Sequence, residues 1–96
     1  MKFLVVAIYD NASDVFMPPY VMQTKGQAIR SFMDECNRPA EDNILFKHPD
    51  DFVMYELGMF DTETGKFELL EDEKKLISGR ECKTVQAPNL SAVKEN

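Results

Sequence analysis

The hydrophobic positions near the start of the chain form one short, continuous run. Residues 3–9 read Phe-Leu-Val-Val-Ala-Ile-Tyr, so both alternating sides of this segment are apolar. Side chains of a strand point alternately to its two faces, and apolar residues on both faces are typical of a strand that is covered twice. The pattern therefore predicts a first strand in the middle of a sheet.

The next segment carries turn signals and shorter apolar stretches. Asp10-Asn11-Ala12-Ser13 predicts a turn, because Asp and Asn bond their own backbone and tolerate left-handed geometry. Residues 14–17 then predict a returning strand. Pro18-Pro19 ends its ladder, since proline has no amide hydrogen to donate. Residues 20–22 are expected to continue in an extended conformation, as an edge.

The clearest helix signal covers residues 25–36. Apolar residues recur there at the spacing of one helix face, and they are Ala28, Ile29, Phe32, Met33 and Cys36. Thr24 fits the N-cap, and Gln27 three residues later completes a capping box. Asn37 and Pro39 predict the end of the helix.

Period-two alternation returns in the second half of the chain. Pro49 predicts a single helical turn over residues 48–51, and residues 52–60 predict a third clear strand. Residues 61–66, with Gly65 free to take positive φ, predict a hairpin loop before a return strand at 67–70. Beyond Leu70 the pattern weakens. Acids followed by bases over residues 71–75 favour a short helix that Gly79 ends.

The rest of the C-terminal segment has a less definite pattern. Residues 80–85 are also compatible with a strand, and residues 88–96 read as a polar tail. We therefore expect a core domain over residues 1–70 and a partly ordered C-terminal extension over residues 71–96.

Together these elements predict an α+β fold. The sheet is expected to be four-stranded and mainly antiparallel, in β-β-α-β-β order, with one principal helix packed on one face. One helix covers only one face of such a sheet, so the second face of the first strand needs a partner. Either the C-terminal segment or a second subunit can supply it, and we expect a homodimer.

Charge and composition narrow the function classes. The chain has 96 residues and a net charge of −6, which argues against coating duplex DNA by bulk attraction. A local basic groove for a single strand remains compatible with that charge. The apolar runs are far shorter than the ~20 residues of a membrane span, and no cleavage signal follows the first run. We expect a cytosolic protein that does not enter membranes.

The residues capable of catalysis do not form a recognisable set. Cys36 and Cys82 match no metal or redox spacing; Cys36 is expected to be a small buried residue and Cys82 an incidental one. The single histidine, His48, precedes Pro49 and is expected to serve a turn. With no nucleophile–base or metal-ligand constellation in the sequence, we expect a binding protein without catalytic residues, cofactor or metal.

Two features are candidates for nucleic-acid binding. Lys25-Gly26 begins the helix, where free amides and the helix dipole favour a phosphate and Gly26 leaves its approach open; an ordinary well-capped helix is the alternative. Lys25 is expected to be exposed and unimportant for stability. Lys25, Arg30 and Lys47 can form a basic strip, with Tyr20 and Phe46 as stacking surfaces. A solvated helix face beside ordinary core aromatics is the alternative.

Several short blocks are distributed over roughly residues 1–70. They are Tyr9-Asp10, Pro18-Pro19-Tyr20, residues 24–32 (TKGQAIRSF), residues 47–52 (KHPDDF), residues 56–61 (ELGMFD) and residues 64–67 (TGKF). In their order and spacing, these blocks resemble the small non-structural protein of gokushoviruses, which are single-stranded DNA phages of the Microviridae.

The resemblance implies a non-virion protein made in the cytoplasm of the infected bacterium. There it would assist the switch from duplex to single-stranded genome synthesis and packaging. Proteins of this kind are sometimes described as DNA-binding or single-strand-synthesis proteins, so the resemblance implies single-stranded DNA as a partner. The alternative is a regulator that docks on the phage replication initiator, the capsid assembly or a host factor without contacting DNA.

Overall fold

The computed structural model describes residues 1–83. Its strands are β1 (Lys2–Asp10), β2 (Val15–Phe16), β3 (Tyr20–Met22), β4 (Phe52–Asp61) and β5 (Lys66–Ser78). Its helices are α1 (Lys25–Cys36) and α2 (Ile44–Lys47), and a 3-10 turn covers Pro49–Asp51. Every strand pair is antiparallel. The α+β class, the principal helix and its bounds are confirmed.

The sheet contains one more strand than predicted. Its order is β2-β1-β4-β5, and β3 also pairs with β1, which makes five strands. Pro18-Pro19 interrupts the segment that returns along β1, because proline cannot donate to the ladder. The segment therefore pairs in two pieces, β2 beside Tyr9 and Asp10 and β3 beside residues 4–6.

The predicted helix after Leu70 is wrong, since residues 71–78 belong to β5. Lys74 pairs with Glu56 and Ile77 with Met54, so this half of β5 completes the backbone hydrogen bonds of β4. Those long-range bonds outweigh the local order of acids and bases. A strand was considered for residues 80–85, but residues 79–83 are helical, and residues 84 and 85 lie outside the described part. The polar tail predicted at residues 88–96 lies outside the described residues.

The core lies between α1 and one face of the sheet. α1 contributes Ala28, Phe32 and Cys36, and the facing strands contribute Leu4, Val6, Ile8, Phe52 and Met54. Cys82 joins this cluster with none of its surface exposed, so its interpretation as an incidental residue is wrong. β5 and the helical segment after it thus carry residues from beyond position 70 into the core.

The opposite face of the sheet is also apolar, and we call it the open face. It is defined by Tyr9, Phe16, Val21, Tyr55, Phe67 and Leu69, which the strand register places on the side away from α1. Exposure is 44% for Phe16, 42% for Val21, 58% for Phe67 and 66% for Leu69. This face carries more exposed apolar surface than scattered single residues would produce.

Candidate nucleic-acid interface

The start of α1 is capped as its sequence predicts. Thr24 has extended backbone angles, and its hydroxyl oxygen accepts a hydrogen bond from the Gln27 amide at 3.1 Å. Gly26 in the first turn is exposed, and a Cβ built on it would meet only the Thr24 hydroxyl, at 3.9 Å. The first turn is therefore open to solvent on the side where a ligand would approach.

Lys25 forms an ion pair that the sequence interpretation missed. Its Nζ lies 3.3 Å from Oε1 of Glu56, whose side chain is only 11% exposed. Among the described residues that oxygen accepts no hydrogen bond, so Lys25 supplies its compensating charge by proximity. The signal in the sequence was an acid at position 56, on the same strand face as Phe52 and Met54.

Lys25 is exposed, as expected, but this ion pair leads us to predict a contribution to stability as well. Lys25→Ala should lower the free energy of unfolding by about 1–2 kcal/mol, because it leaves a buried carboxylate without its counter-charge. Glu56→Gln removes the charge, and adding it to Lys25→Ala should restore most of the loss. Urea denaturation of the two single variants and the double variant measures the coupling. Equal losses with and without Glu56 would contradict the role of the pair.

Arg30 lies one turn after Gly26 on α1, and Tyr20 lies on β3, which contacts α1. Tyr20 on β3 pairs with Val6, which pairs with Glu56, so it stands two strands from Glu56, roughly 10 Å away on the same side of the sheet. Tyr20 is 38% exposed, and its partial burial raises the pKa of its hydroxyl. Arg30 is exposed and borders an open depression with Gly26 and Gln27.

Phe46 and Lys47 lie at the other end of α1. They belong to α2, which Asn43 joins to the α1 C-terminus by donating hydrogen bonds to the Glu35 and Arg38 carbonyls. A helix of 12 residues separates its ends by about 18 Å. The ring of Phe46 is half-buried and covered by Lys83, whose Nζ lies 4.3 Å from the ring centroid.

The predicted strip is therefore divided. Tyr20, Lys25, Gly26 and Arg30 form one group, which we call the α1 patch. Phe46 and Lys47 form a separate pair, with Lys47 exposed. Asp34 places a negative charge beside the α1 patch, since it lines a second depression with Gly26, Ile29, Arg30 and Met33.

Much of the remaining positive charge is already paired. Lys2 lies 3.0 Å from Glu68, Arg38 lies 2.7 Å from Glu35, and Lys75 lies 2.8 Å from Glu81. Together with Lys25 and Lys83, these contacts reduce the cations available to phosphates. Among the carboxylates of residues 1–83, none lies within ion-pair distance of the two predicted site cations Arg30 and Lys47.

The two cysteines adjoin in the core, which their sequence spacing did not indicate. Both are buried. Burial, followed by the neighbouring Cys82, raises the pKa of the Cys36 thiol to about 12, so it stays protonated at neutral pH. Within residues 1–83, no group of three or more His, Cys, Asp and Glu side chains is placed to hold a metal ion.

The helices within residues 1–83 are too short or too polar to span a membrane.

Comparison with known proteins identifies the family. No curated protein matches the sequence, and no solved structure matches it either. The family model described as Phage ORF5 protein matches residues 3–82, which cover all of β1 except Lys2, the other four strands, α1, α2 and the buried Cys82. The chain therefore belongs to the phage ORF5 protein family.

Proposed function

We propose that this phage protein is a non-catalytic accessory protein of DNA replication that binds single-stranded DNA through the α1 patch. Membership of a phage family supports the phage setting. The resemblance to the gokushovirus small non-structural protein supports a role in the switch to single-stranded genome synthesis and packaging. In that role the protein acts in the cytoplasm of the host bacterium and is absent from the mature virion.

The observation that carries the proposal is that the first two turns of α1 present open amides and a cation, and that the neighbouring strand β3 presents a partly exposed ring. Tyr20 is exposed enough to stack on a base, which is worth about 1–3 kcal/mol per base. The exposed Arg30 can pair with a phosphate, and the first-turn amides and the helix dipole favour the same negative charge. Gly26 leaves room for the phosphate to approach.

Single strands should be preferred over duplex. The net charge of −6 opposes binding to any dense array of phosphates, and duplex DNA has the denser array. A single strand also offers unpaired bases to Tyr20, so stacking can offset the unfavourable average field. Fluorescence anisotropy with labelled single-stranded and duplex oligonucleotides, at two salt concentrations, tests this preference.

Variants of the α1 patch locate the contact. Arg30→Ala should weaken single-strand binding and reduce the log–log salt slope by about 0.7, the value for one phosphate contact. Tyr20→Ala should weaken it by about 5–100-fold, the loss of one stacking contact. Arg38→Ala is the matched control, since Arg38 is already paired with Glu35 at the far end of the helix. Lys25 is less suitable for this test, because we expect its removal to destabilise the fold as well.

The results separate the proposal from its alternative. Equal affinity for both DNA forms, no binding at low salt, or equal effects of Arg30→Ala and Arg38→Ala would contradict it. The alternative is a regulator that docks on the phage initiator, the capsid assembly or a host factor. One observation favours it: Asp34, Ile29 and Met33 share a depression with Arg30, and such a mixed surface suits a protein partner.

A further inference from the structure

We infer that the open face binds a second copy of this chain, so that the protein is a homodimer with its two sheets face to face and each α1 on the outside. The face lies opposite the α1 patch across the sheet. The inference is therefore independent of whether the patch binds DNA.

The open face has the side chains of a protein interface. Tyr9, Phe16 and Tyr55 form a ring cluster with centroid distances of 4.8, 5.8 and 6.5 Å. Near the hairpin at Gly65, the ring of Phe67 packs on that of Phe60, with 4.9 Å between the ring centroids. Leu69 is exposed and pairs with Gly58 across the strands. Aromatic residues are enriched in the buried centre of protein interfaces, where charged residues are scarce.

The charges around this face argue against a nucleic acid there. Among the residues in register on this side, Lys75 is paired with Tyr55 across the strands, and its ammonium lies 2.8 Å from Glu81. Single-strand binding needs free cations along the backbone as well as rings. The open face offers rings next to a cation that is already neutralised, so a partner with an apolar surface suits it better.

The long edge of the sheet, β5, is a poor site for self-association. β5 is the long edge strand, and it carries Glu71, Asp72 and Glu73 where its register with β4 is interrupted. Charged residues and bulges on an edge prevent another strand from adding to it. Association through the face avoids these acids, because the side chains of the face point away from the plane of the strands.

The area of the face suits a dimer. Four strand positions at ~4.8 Å spacing and ~30 Å of strand length give roughly 570 Å² per chain, or about 1,100 Å² in a dimer. Specific interfaces begin at about 1,000–1,200 Å². Residues 84–96 are the other candidate cover, but their only large aliphatic residues are Val85, Leu90 and Val93, and they include no aromatic residue. A second copy supplies an equal apolar face by two-fold symmetry.

The test is the mass of the full-length protein in solution. Light scattering coupled to size exclusion should report about 22 kDa at micromolar concentration, twice the chain mass of 11.0 kDa. Phe67→Glu and Val21→Glu should each weaken dimerisation by roughly 100-fold or more, because symmetry buries two new charges in each interface. Both side chains are exposed in the single chain, so the fold should tolerate the changes.

A matched control keeps the result specific to the face. Ile44→Glu places the same charge on an apolar residue that is 45% exposed but lies on α2, and it should leave the dimer intact. The inference would be overturned if the wild-type protein were still monomeric at a concentration of about 100 µM. A dimer that survives both open-face variants would also overturn it. Loss of DNA binding in Phe67→Glu with an unchanged mass would assign the face to DNA instead.

Discussion

Replacing Gly58 with alanine should lower the free energy of unfolding by about 3–5 kcal/mol, one of the largest effects available from a single methyl group in this protein. Gly58 lies in the central strand β4, between Val5 of β1 and Leu69 of β5. A Cβ there would lie 2.3 Å from the Glu68 carbonyl oxygen and 2.8 Å from the Leu69 Cα. Both are backbone atoms, so the clash cannot be relieved by rotating a side chain.

Backbone conformation adds to this clash. Gly58 has a φ of 156°, a backbone conformation that residues other than glycine rarely adopt. Gly65→Ala is the matched control, because Gly65 also has positive φ, at 73°, but a Cβ there would meet no atom within 4 Å. It should cost only about 1–2 kcal/mol.

Urea denaturation of both glycine variants at one protein concentration measures the difference, since association makes stability depend on concentration. Equal losses would show that β5 moves aside at little cost and that only the torsion angle matters. A loss at Gly58 that exceeds the loss at Gly65 supports the close approach of the two strands.

Asn43→Ala should lower the free energy of unfolding by about 3 kcal/mol. Asn43 is only 4% exposed, and its side-chain amide donates to the carbonyls of Glu35 and Arg38 at 2.8 and 2.9 Å. Its side-chain oxygen accepts from the amides of Leu45 and Phe46 at 3.1 and 3.3 Å. One side chain thus bonds backbone groups at the end of α1 and at the start of α2. Alanine removes all four of these bonds, although the Glu35 carbonyl keeps the Arg38 amide as a donor at 3.2 Å.

Two further variants divide the effect of Asn43. Asn43→Asp keeps the oxygen that caps α2 but loses the amide that bonds the carbonyls near α1, so it should retain only part of the stability. Asn37→Ala is the matched control, because the side chain of Asn37 donates a hydrogen bond to the Met33 carbonyl at 2.8 Å. Its loss should cost about 1 kcal/mol. Thermal and urea unfolding of the three variants measure their losses of stability, which we expect to be largest for Asn43→Ala. A loss for Asn43→Ala no greater than for Asn37→Ala would contradict the double-capping role.

Local signals in the sequence were sufficient for most elements. The bounds of α1 followed from Thr24, the spacing of Ala28 and Phe32, and Asn37, because capping and helical periodicity act within a few residues. The turn after β1 is closed by Asp10, whose carboxylate accepts from the Ala12 amide at 3.0 Å. The hairpin at Gly65 and the helical turn at Pro49 were predicted for equally local reasons.

Elements that depend on distant partners were not predictable in this way. The second half of β5 has acids and bases in a helical order, yet it forms a strand because β4 lies beside it. α2 is four residues long, too short to be stable alone, and it forms where Asn43 caps it against α1. Strict alternation along β4 would place Gly58 on the same face as Glu56. The register shifts at Leu57 instead, so Gly58 lies on the opposite face, beside Val5.

The candidate site likewise has features that local sequence signals determine and features that depend on distant contacts. The sequence by itself determined which residues carry charge or rings, and it placed Lys25 and Gly26 at a helix start, because capping is local. Only the tertiary structure decided that Lys25 pairs with Glu56, that Lys83 covers Phe46, and that Phe46 and Lys47 lie at the far end of α1. Those contacts join residues far apart in the chain, and their positions depend on strand register and helix packing, which no local pattern encodes.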